Sequence, residues 1–319
     1  MSGREASTSR TWVVRATDAK TVGAIVQSAG GDPRAIDEGR VFVGRRRARD
    51  ASEAVQAGDL VTIAPAVAAL GPGAVAILAH EADFVAVDKP AGLPTIPDHG
   101  GASHALITLA ASAIGLAASR LHPTSRLDRD VSGVVVFALA PEASARFTRA
   151  RAAHTYVRRY VALAASAPRA PEHEHEQGTW DAPIGRARDP RHRAPNGKEA
   201  ADARTHFQVV ARAGAPAMLA LAPITGRTHQ LRVHASHAGA PLLGDRVYGG
   251  PTRLSLASGR VVALDRVALH AARVTVPRAS GEPLTILSPV PPALAALWLS
   301  LGGADTAWDI AVTCSLPER

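Results

Sequence analysis

An aspartate stands between two arginines in the segment SRLDRDVSGVVVFA, Ser125 to Ala138, and the chain then enters an unbroken apolar run. Gly133 followed by Val134, Val135, Val136 and Phe137 reads as a strand buried on both faces, which places Asp128 on the loop at its lip. Arg126 and Arg129 would favour the ionised form of a carboxylate between them. On an open surface such an arrangement is a solvated ion pair worth well under about 1 kcal/mol. At the mouth of a buried strand, where a rigid scaffold presents a loop, it becomes a candidate for chemistry.

A second dense stretch, Pro223 to Gly249, packs Arg227, Arg232, Asp245 and Arg246 together with His229, His234 and His237. A zinc site is a weak reading of the histidines, because His229 and His234 lie five apart, no cysteine helps and no HExxH pattern places two ligands on one helical face. Glu172 to Glu176 also mixes Glu and His, in a hydrophilic loop where solvation is the simpler reading. Gly71, Gly73 and Ala76 match a bare GxGxxA interrupted by Pro72, and read as linker. Neither a GxxxxGK[ST] phosphate loop nor a GxSxG nucleophile elbow occurs, so we expect no cofactor and no metal. What is left is one acid, Asp128, with arginines and an aromatic, Tyr160, in a later strand-like segment. Such a set suits an extruded base: the carboxylate attacks or stabilises a sugar carbon, an arginine holds it charged and the aromatic stacks. Taken singly, Tyr160 reads better as a core aromatic at a strand position and Arg227 as a surface ion pair.

The elements that must position these residues divide in two. In the first part Thr17 is expected to cap a helix carrying Val22, Ile25, Val26 and Ala29 and ending at Gly30 and Gly31. Asp32 and Pro33 then open a short helix that stops at Gly39, and Val41 to Val43 and Leu60 to Ile63 read as strands. Pro65 to Val75 reads as a linker, giving expected domains of 10–68 and 76–296. The second should hold strands around Ile77, Phe84 to Asp88, Gly133 to Leu139, Tyr156 to Leu163, Phe207 to Ala211, Met218 to Leu221 and Arg273 to Val276. Helices are expected from His104 to Ala118 and after Pro141, and a tight turn at Asn196 and Gly197. Strands with scattered helices predict an α+β fold with no solenoid repeat.

The 319 residues carry a net charge of +8, which favours a polyanionic partner through counterion release. The basic residues gather at Arg45, Arg46, Arg47 and Arg49, at Arg146, Arg149 and Arg151, and from Arg186 through Arg193 to Lys198. Aromatics make up only 4%, which argues against a broad stacking platform for single strands. The lone Cys314 excludes an intramolecular disulfide and fits a reducing compartment. MSGREASTSR lacks an apolar signal core, and the uncharged stretch Leu60 to Ala79 is broken by Pro65, Gly71, Pro72 and Gly73, so we expect a cytoplasmic protein without a membrane span.

With these segments in hand, the chain resembles the RluA family of pseudouridine synthases. DFVAVDKPAGLP, Asp83 to Pro94, resembles the family's opening strand and lysine-proline turn, and SRLDRDVSGVVVFA its catalytic segment. RRYVAL around Tyr160, GRTHQLRVH and LLGDRVYGG resemble further family segments, as do APIGR at Ala182 to Arg186, GKEA at Gly197 to Ala200 and ALHA at Ala268 to Ala271. The resemblance implies that Asp128 is the catalytic aspartate, that Arg227 pairs with it, that Tyr160 lines the base pocket and that Arg126 fills the gap left by the extruded nucleotide. It implies a mixed, largely antiparallel catalytic sheet and an RNA partner, ribosomal RNA before transfer RNA, for a monomeric enzyme. GRVFVG, Gly39 to Gly44, with Gly58 and Asp59, resembles the small ribosomal-protein-type RNA-binding module that often precedes this domain. The sequence departs from the family at Ser125, where His is usual, and at Val131, where Thr is usual, while Arg45 to Arg47 replace the usual end of the RNA-binding hairpin. The rival expectation is a non-catalytic RNA-binding or ribosome-assembly protein on the same fold.

Overall fold

The computed structural model describes residues 10–18, 20–37, 41–44, 46–63, 75–97, 105–168, 176–189, 192–256 and 259–317. The stop at Gly39, Arg45, the Pro65 to Val75 linker up to residue 74, and residues 172–175 of the Glu172 run lie outside them. Two compact units emerge, one drawn from Met1–Val75 and Pro94–Ala118, the other from Ala76–Leu93 and Ser119–Arg319.

The first unit holds β1 (Arg10–Val13), α1 (Val22–Ser28), α2 (Arg34–Asp37), β2 (Val41–Val43), β3 (Arg46–Arg47) and β4 (Leu60–Ile63). Its antiparallel sheet runs β1-β4-β2-β3. Val22, Ile25 and Val26 of α1 close over Val41, Val61 and Ile63, the burial that the apolar spacing demands. The helix is capped by Thr21, whose hydroxyl accepts from the Ala24 amide at 3.4 Å, not by Thr17. Thr17 is taken up in a turn closed by the Asp18 carboxylate on the Arg15 amide at 2.7 Å. The helix α3 (Leu106–Ala113) is also shorter than expected: Gly115 adopts φ +70° and the Leu116 amide reaches back to the Ala111 carbonyl at 2.9 Å, the left-handed stop that ends many helices.

The second unit contains β5 (Ala76–His80), β6 (Phe84–Lys89), β7 (His122–Pro123), β8 (Ser132–Ala138), α4 (Pro141–Ala152), β9 (Val157–Ala164), β10 (Gln177–Trp180), β11 (Ile184–Arg186), β12 (Arg193–Pro195), β13 (Lys198–Ala201), β14 (Thr205–Arg212), β15 (Ala217–Pro223), α5 (Gln230–His237), β16 (Arg253–Ser255), β17 (Val261–Ala263), β18 (Leu269–Pro277), β19 (Pro283–Leu287), α6 (Pro292–Ser300) and α7 (Ala307–Thr313). Ten of these strands form one sheet along the path β10-β14-β15-β9-β18-β8-β6-β5, with β19 on β18 and β7 on β8. Of its pairings among the described residues only β18 with β8 is parallel, so the fold is α+β with a mixed, largely antiparallel sheet.

Every residue of β8 is buried, as its apolar run requires. Gly133 sits at φ +118°, and a Cβ there would lie 2.2 Å from the Ala271 carbonyl oxygen, so the parallel approach of β8 to β18 tolerates no side chain. One face of the sheet packs Phe147 of α4 edge-on against Phe84 and Tyr156 at 5.5 and 5.9 Å. The other buries Val161, Leu163 and Met218 under Trp298 and Trp308, which carries this unit beyond residue 296 through α7. Asn196, at φ 53°, does make a turn, but β12 and β13 on either side of it flank β11 instead of pairing as a hairpin.

Candidate active site

Asp128 lies four residues ahead of β8, on a turn closed by the Val131 amide on the Asp128 carbonyl at 3.1 Å. Because the backbone closes this turn, the buried Val131 needs no side-chain hydroxyl to hold it. Lys89, at the end of β6 and fully buried, fastens the same loop: its ammonium donates to the carbonyls of Pro90, Leu93 and Arg129. The Gly92 amide adds a second bond to the Arg129 carbonyl at 2.8 Å. Burial and the nearby Arg266 charge lower the Lys89 pKa to about 7 against the pull of Asp130 and Asp128. Behind the start of β8, Ser132 Oγ accepts from Arg266 at 2.8 Å and lies 2.8 Å from His270 Nδ1, which gives the ALHA segment a structural task.

The carboxylate's ionic partner is Arg232. Its Nη1 donates to Asp128 Oδ2 at 2.9 Å, while Nε and Nη2 grip both oxygens of the fully buried Asp245 at 2.7 and 2.8 Å. Asp245 is itself held by the amides of Val247 and Tyr248, both at 3.1 Å. It reaches this position because Gly244 takes φ +77°, where a Cβ would lie 1.9 Å from the Arg266 carbonyl oxygen. Burial works against the Arg232 charge, but the hydrogen bonds and charge of Asp245, and then of Asp128, outweigh it and raise its pKa further. The guanidinium also lies over the Tyr248 ring, 5.0 Å from its centroid.

This corrects the expected pairing of Arg227 with Asp128. Arg227 precedes α5 on a loop, its amide donating to Gln230 Oε1 at 2.9 Å and its Nε to the Asp202 carbonyl at 2.8 Å. Arg232, five residues on, lies inside α5 among its buried residues and faces the acid. Arg126 does not pair with Asp128 either; it is exposed, and the charge that meets the carboxylate comes from 104 positions away in the chain. His229 stands at the head of α5 with φ 58°, its Nδ1 2.7 Å from Tyr248 Oη and its Nε2 3.9 Å from Asp128 Oδ2. Burial lowers its pKa, with Arg232 and Arg193 adding to that effect and Asp128 opposing it. Of the other histidines weighed as zinc ligands, His234 has both nitrogens at protein partners, Thr205 Oγ1 at 3.0 Å and the Ala182 carbonyl at 2.9 Å. Among the described residues no group of three or more His, Cys, Asp or Glu side chains is arranged to hold a metal ion.

These side chains open onto one cavity of about 470 Å³, lined by Asp128, Arg126, Tyr160, Arg227, His229 and Arg232, with Leu127, Val131, Leu231 and Leu269 as its apolar surface. The structure thus brings together all four residues singled out by resemblance, and adds Arg232, His229, Asp245 and Tyr248. Tyr160 reaches the cavity from β9, and burial raises its phenol pKa. Asp128 uses only Oδ2 in these contacts, so Oδ1 receives no hydrogen bond among the described residues. The arrangement supplies a carboxyl group of fixed orientation beside an aromatic in a concave, partly apolar site, which is equipment for attack on, or proton removal from, a sugar carbon. The signal for the added residues lay in the segments GRTHQLRVH and LLGDRVYGG; which arginine turned inward did not.

Residues 83–237 match the family described as RNA pseudouridylate synthase. The ribosomal large subunit pseudouridine synthase D of Nitrosomonas europaea is 37% identical over 232 residues, 69% of this chain and 63% of that protein. The protein of the same description from Xanthomonas campestris pv. campestris is 34% identical over 70% of this chain and 69% of its own length. An uncharacterized RNA pseudouridine synthase of Zymomonas mobilis is 31% identical over 68% of this chain and 94% of its own length. Among solved structures, human RNA pseudouridylate synthase domain containing 4 superposes with a TM-score of 0.56 at 26% identity, over 71% of this chain and 92% of that one. The match spans less than two thirds of the N. europaea protein, at 63%, and of a Bacillus subtilis relative, at 64%. With its cavity, its carboxylate and these relatives together, the chain belongs to the RluA family of RNA pseudouridine synthases.

Proposed function

We propose that this protein isomerises uridine to pseudouridine in RNA, with Asp128 as its catalytic carboxylate. The observation that carries the reading is the Asp128–Arg232 pair, 2.9 Å long, at the wall of a cavity that Tyr160 also lines. The reaction breaks the bond between uracil and the sugar, turns the base while it is held, and rejoins it through C5. It is redox-neutral and needs no cofactor. Asp128 acts at the sugar, either on the anomeric carbon or on a proton of the adjacent carbon. Tyr160 packs against the extruded base, Arg126 enters the gap it leaves, and Arg227 meets the backbone at the rim. Unstacking costs a few kcal/mol, offset by phosphate contacts and pocket stacking.

Two relatives are named as ribosomal large subunit enzymes, and this supports large-subunit ribosomal RNA as the substrate here. We place the enzyme, as a monomer, in the reducing cytoplasm; the net charge of +8 supports the polyanionic partner and the lone Cys314 the reducing compartment. Transcriptome-wide pseudouridine mapping with and without the gene tests the proposal. Loss of one or a few signals in large-subunit RNA is expected. Loss confined to transfer RNA overturns the choice of substrate, and an unchanged map, with purified protein inactive on total RNA, overturns the enzyme in favour of a non-catalytic RNA-binding protein.

A further inference from the structure

Isomerisation moves a proton as well as a bond: C5 loses its hydrogen when it joins the sugar, and N1 gains one. A base must take the C5 proton. The titratable groups lining the cavity are Asp128, Tyr160, His229 and arginines. Asp128 is committed to the sugar. Arginine stays protonated throughout, and burial keeps the Tyr160 phenol protonated. Thr225 and Gln230 of the lining are not bases at neutral pH. His229 is the base that is left.

Resting on the pseudouridine synthase reading, we propose that His229 is a second catalytic residue, whose Nε2 takes the proton from C5 of the turned uracil. The C5–H bond breaks as the Nε2–H bond forms, the electron pair returns to the ring, the imidazolium passes its proton to water, and N1 takes one up from solvent. The geometry supports this in three ways. His229 is held in the left-handed region at φ 58°, a conformation uncommon for a residue with a side chain, and this aims the ring at the cavity from the head of α5. Its Nδ1 is 2.7 Å from Tyr248 Oη, an oxygen that also accepts the Arg193 amide at 3.1 Å and keeps a second lone pair for an Nδ1–H donor. In that tautomer Nε2 is a bare acceptor, 3.9 Å from Asp128 Oδ2.

The charges facing the ring divide the work. Arg232 and Arg193 add to burial in keeping the resting imidazole neutral, whereas Asp128 and, more weakly, Asp245 favour the imidazolium as it forms. Tyr248, whose phenol burial also keeps protonated, orients the ring.

The test is a single-turnover reaction on RNA carrying 5-deuterio or ordinary uridine, with wild type and His229→Asn. Asparagine tolerates the left-handed backbone, so the variant should fold. We expect it to bind RNA normally and react about 100-fold or more slower, as loss of a general base implies. Its C5 deuterium isotope effect should exceed that of wild type. The wild-type rate should fall as pH drops below the ordinary imidazole range, and this limb should be missing from the variant. Tyr248→Phe, which removes the Nδ1 partner, should shift the limb without abolishing it. An H229N enzyme with unchanged isotope effect and unchanged acid limb, whether slowed or not, overturns the assignment, because a packing role moves neither. A wild-type protein that makes no pseudouridine overturns the parent reading instead.

Discussion

Arg227 and Arg232 stand five residues apart and line one cavity, yet their charges have opposite fates. Arg232 is about 7% exposed and divides its guanidinium between two carboxylates. Arg227 is exposed and bonds through Nε to a backbone carbonyl, with no carboxylate partner among the described residues. The buried arginine spends its hydrogen bonds on geometry: it fixes one oxygen of Asp128 and both of Asp245. The exposed one presents its charge to solvent at the cavity's rim, and Arg126 shares that condition. On the proposed function, orientation of the carboxylate and attraction of the RNA therefore fall to different residues of one type.

Arg232→Met breaks this division most severely. It strands the fully buried Asp245 as well as Asp128, and removing one partner of a buried ion pair costs about 3–5 kcal/mol. Urea unfolding should show that loss, with activity at background. Unchanged stability would mean that the pair is not formed. The next effect is on acid stability. Burial holds the His270 pKa down to about 4, and burial also lowers those of His229 and His234. Each unfolded imidazole takes a proton near its ordinary value before the folded one does. Stability is therefore complete above that value and declines as pH falls toward 4, by at most about 3 kcal/mol from His270. Urea midpoints measured from pH 7 to pH 4 check this, and a flat profile would contradict the buried neutral histidines. Smallest is Arg227→Ala, which should lower the slope of log affinity against log salt by about 1 while sparing the single-turnover rate at saturating RNA. A rate loss as large as that of Arg232→Met would erase the distinction between rim and interior.

The same contrast marks what the sequence could tell. The place of Asp128 at the lip of a buried strand was legible because the run from Val134 to Ala138 is apolar throughout, and β8 is buried at every position. Tyr160 was legible as an aromatic in a strand. The partner of Asp128 was not, since GRTHQLRVH offers two arginines and only the start of α5 at Gln230 decides that Arg227 stays on a loop. Asp245 and Tyr248 were hidden likewise, because Gly244 and the turn after it place them. At the fold level the periodicities of α1 and β8 sufficed. The Thr17 cap failed because Thr21 competes for the same helix, and the expected end at 296 failed because Trp308 of α7 belongs to the core.

The account stands on Asp128 acting through its carboxylate and not merely through its place in the fold. Asp128→Asn keeps the shape, removes the charge, and is tested most directly by tritium release from RNA labelled at C5 of uridine, with RNA affinity measured on the same preparation. The account predicts wild-type binding and no release above the uncatalysed background. Release at a rate near that of wild type would contradict it.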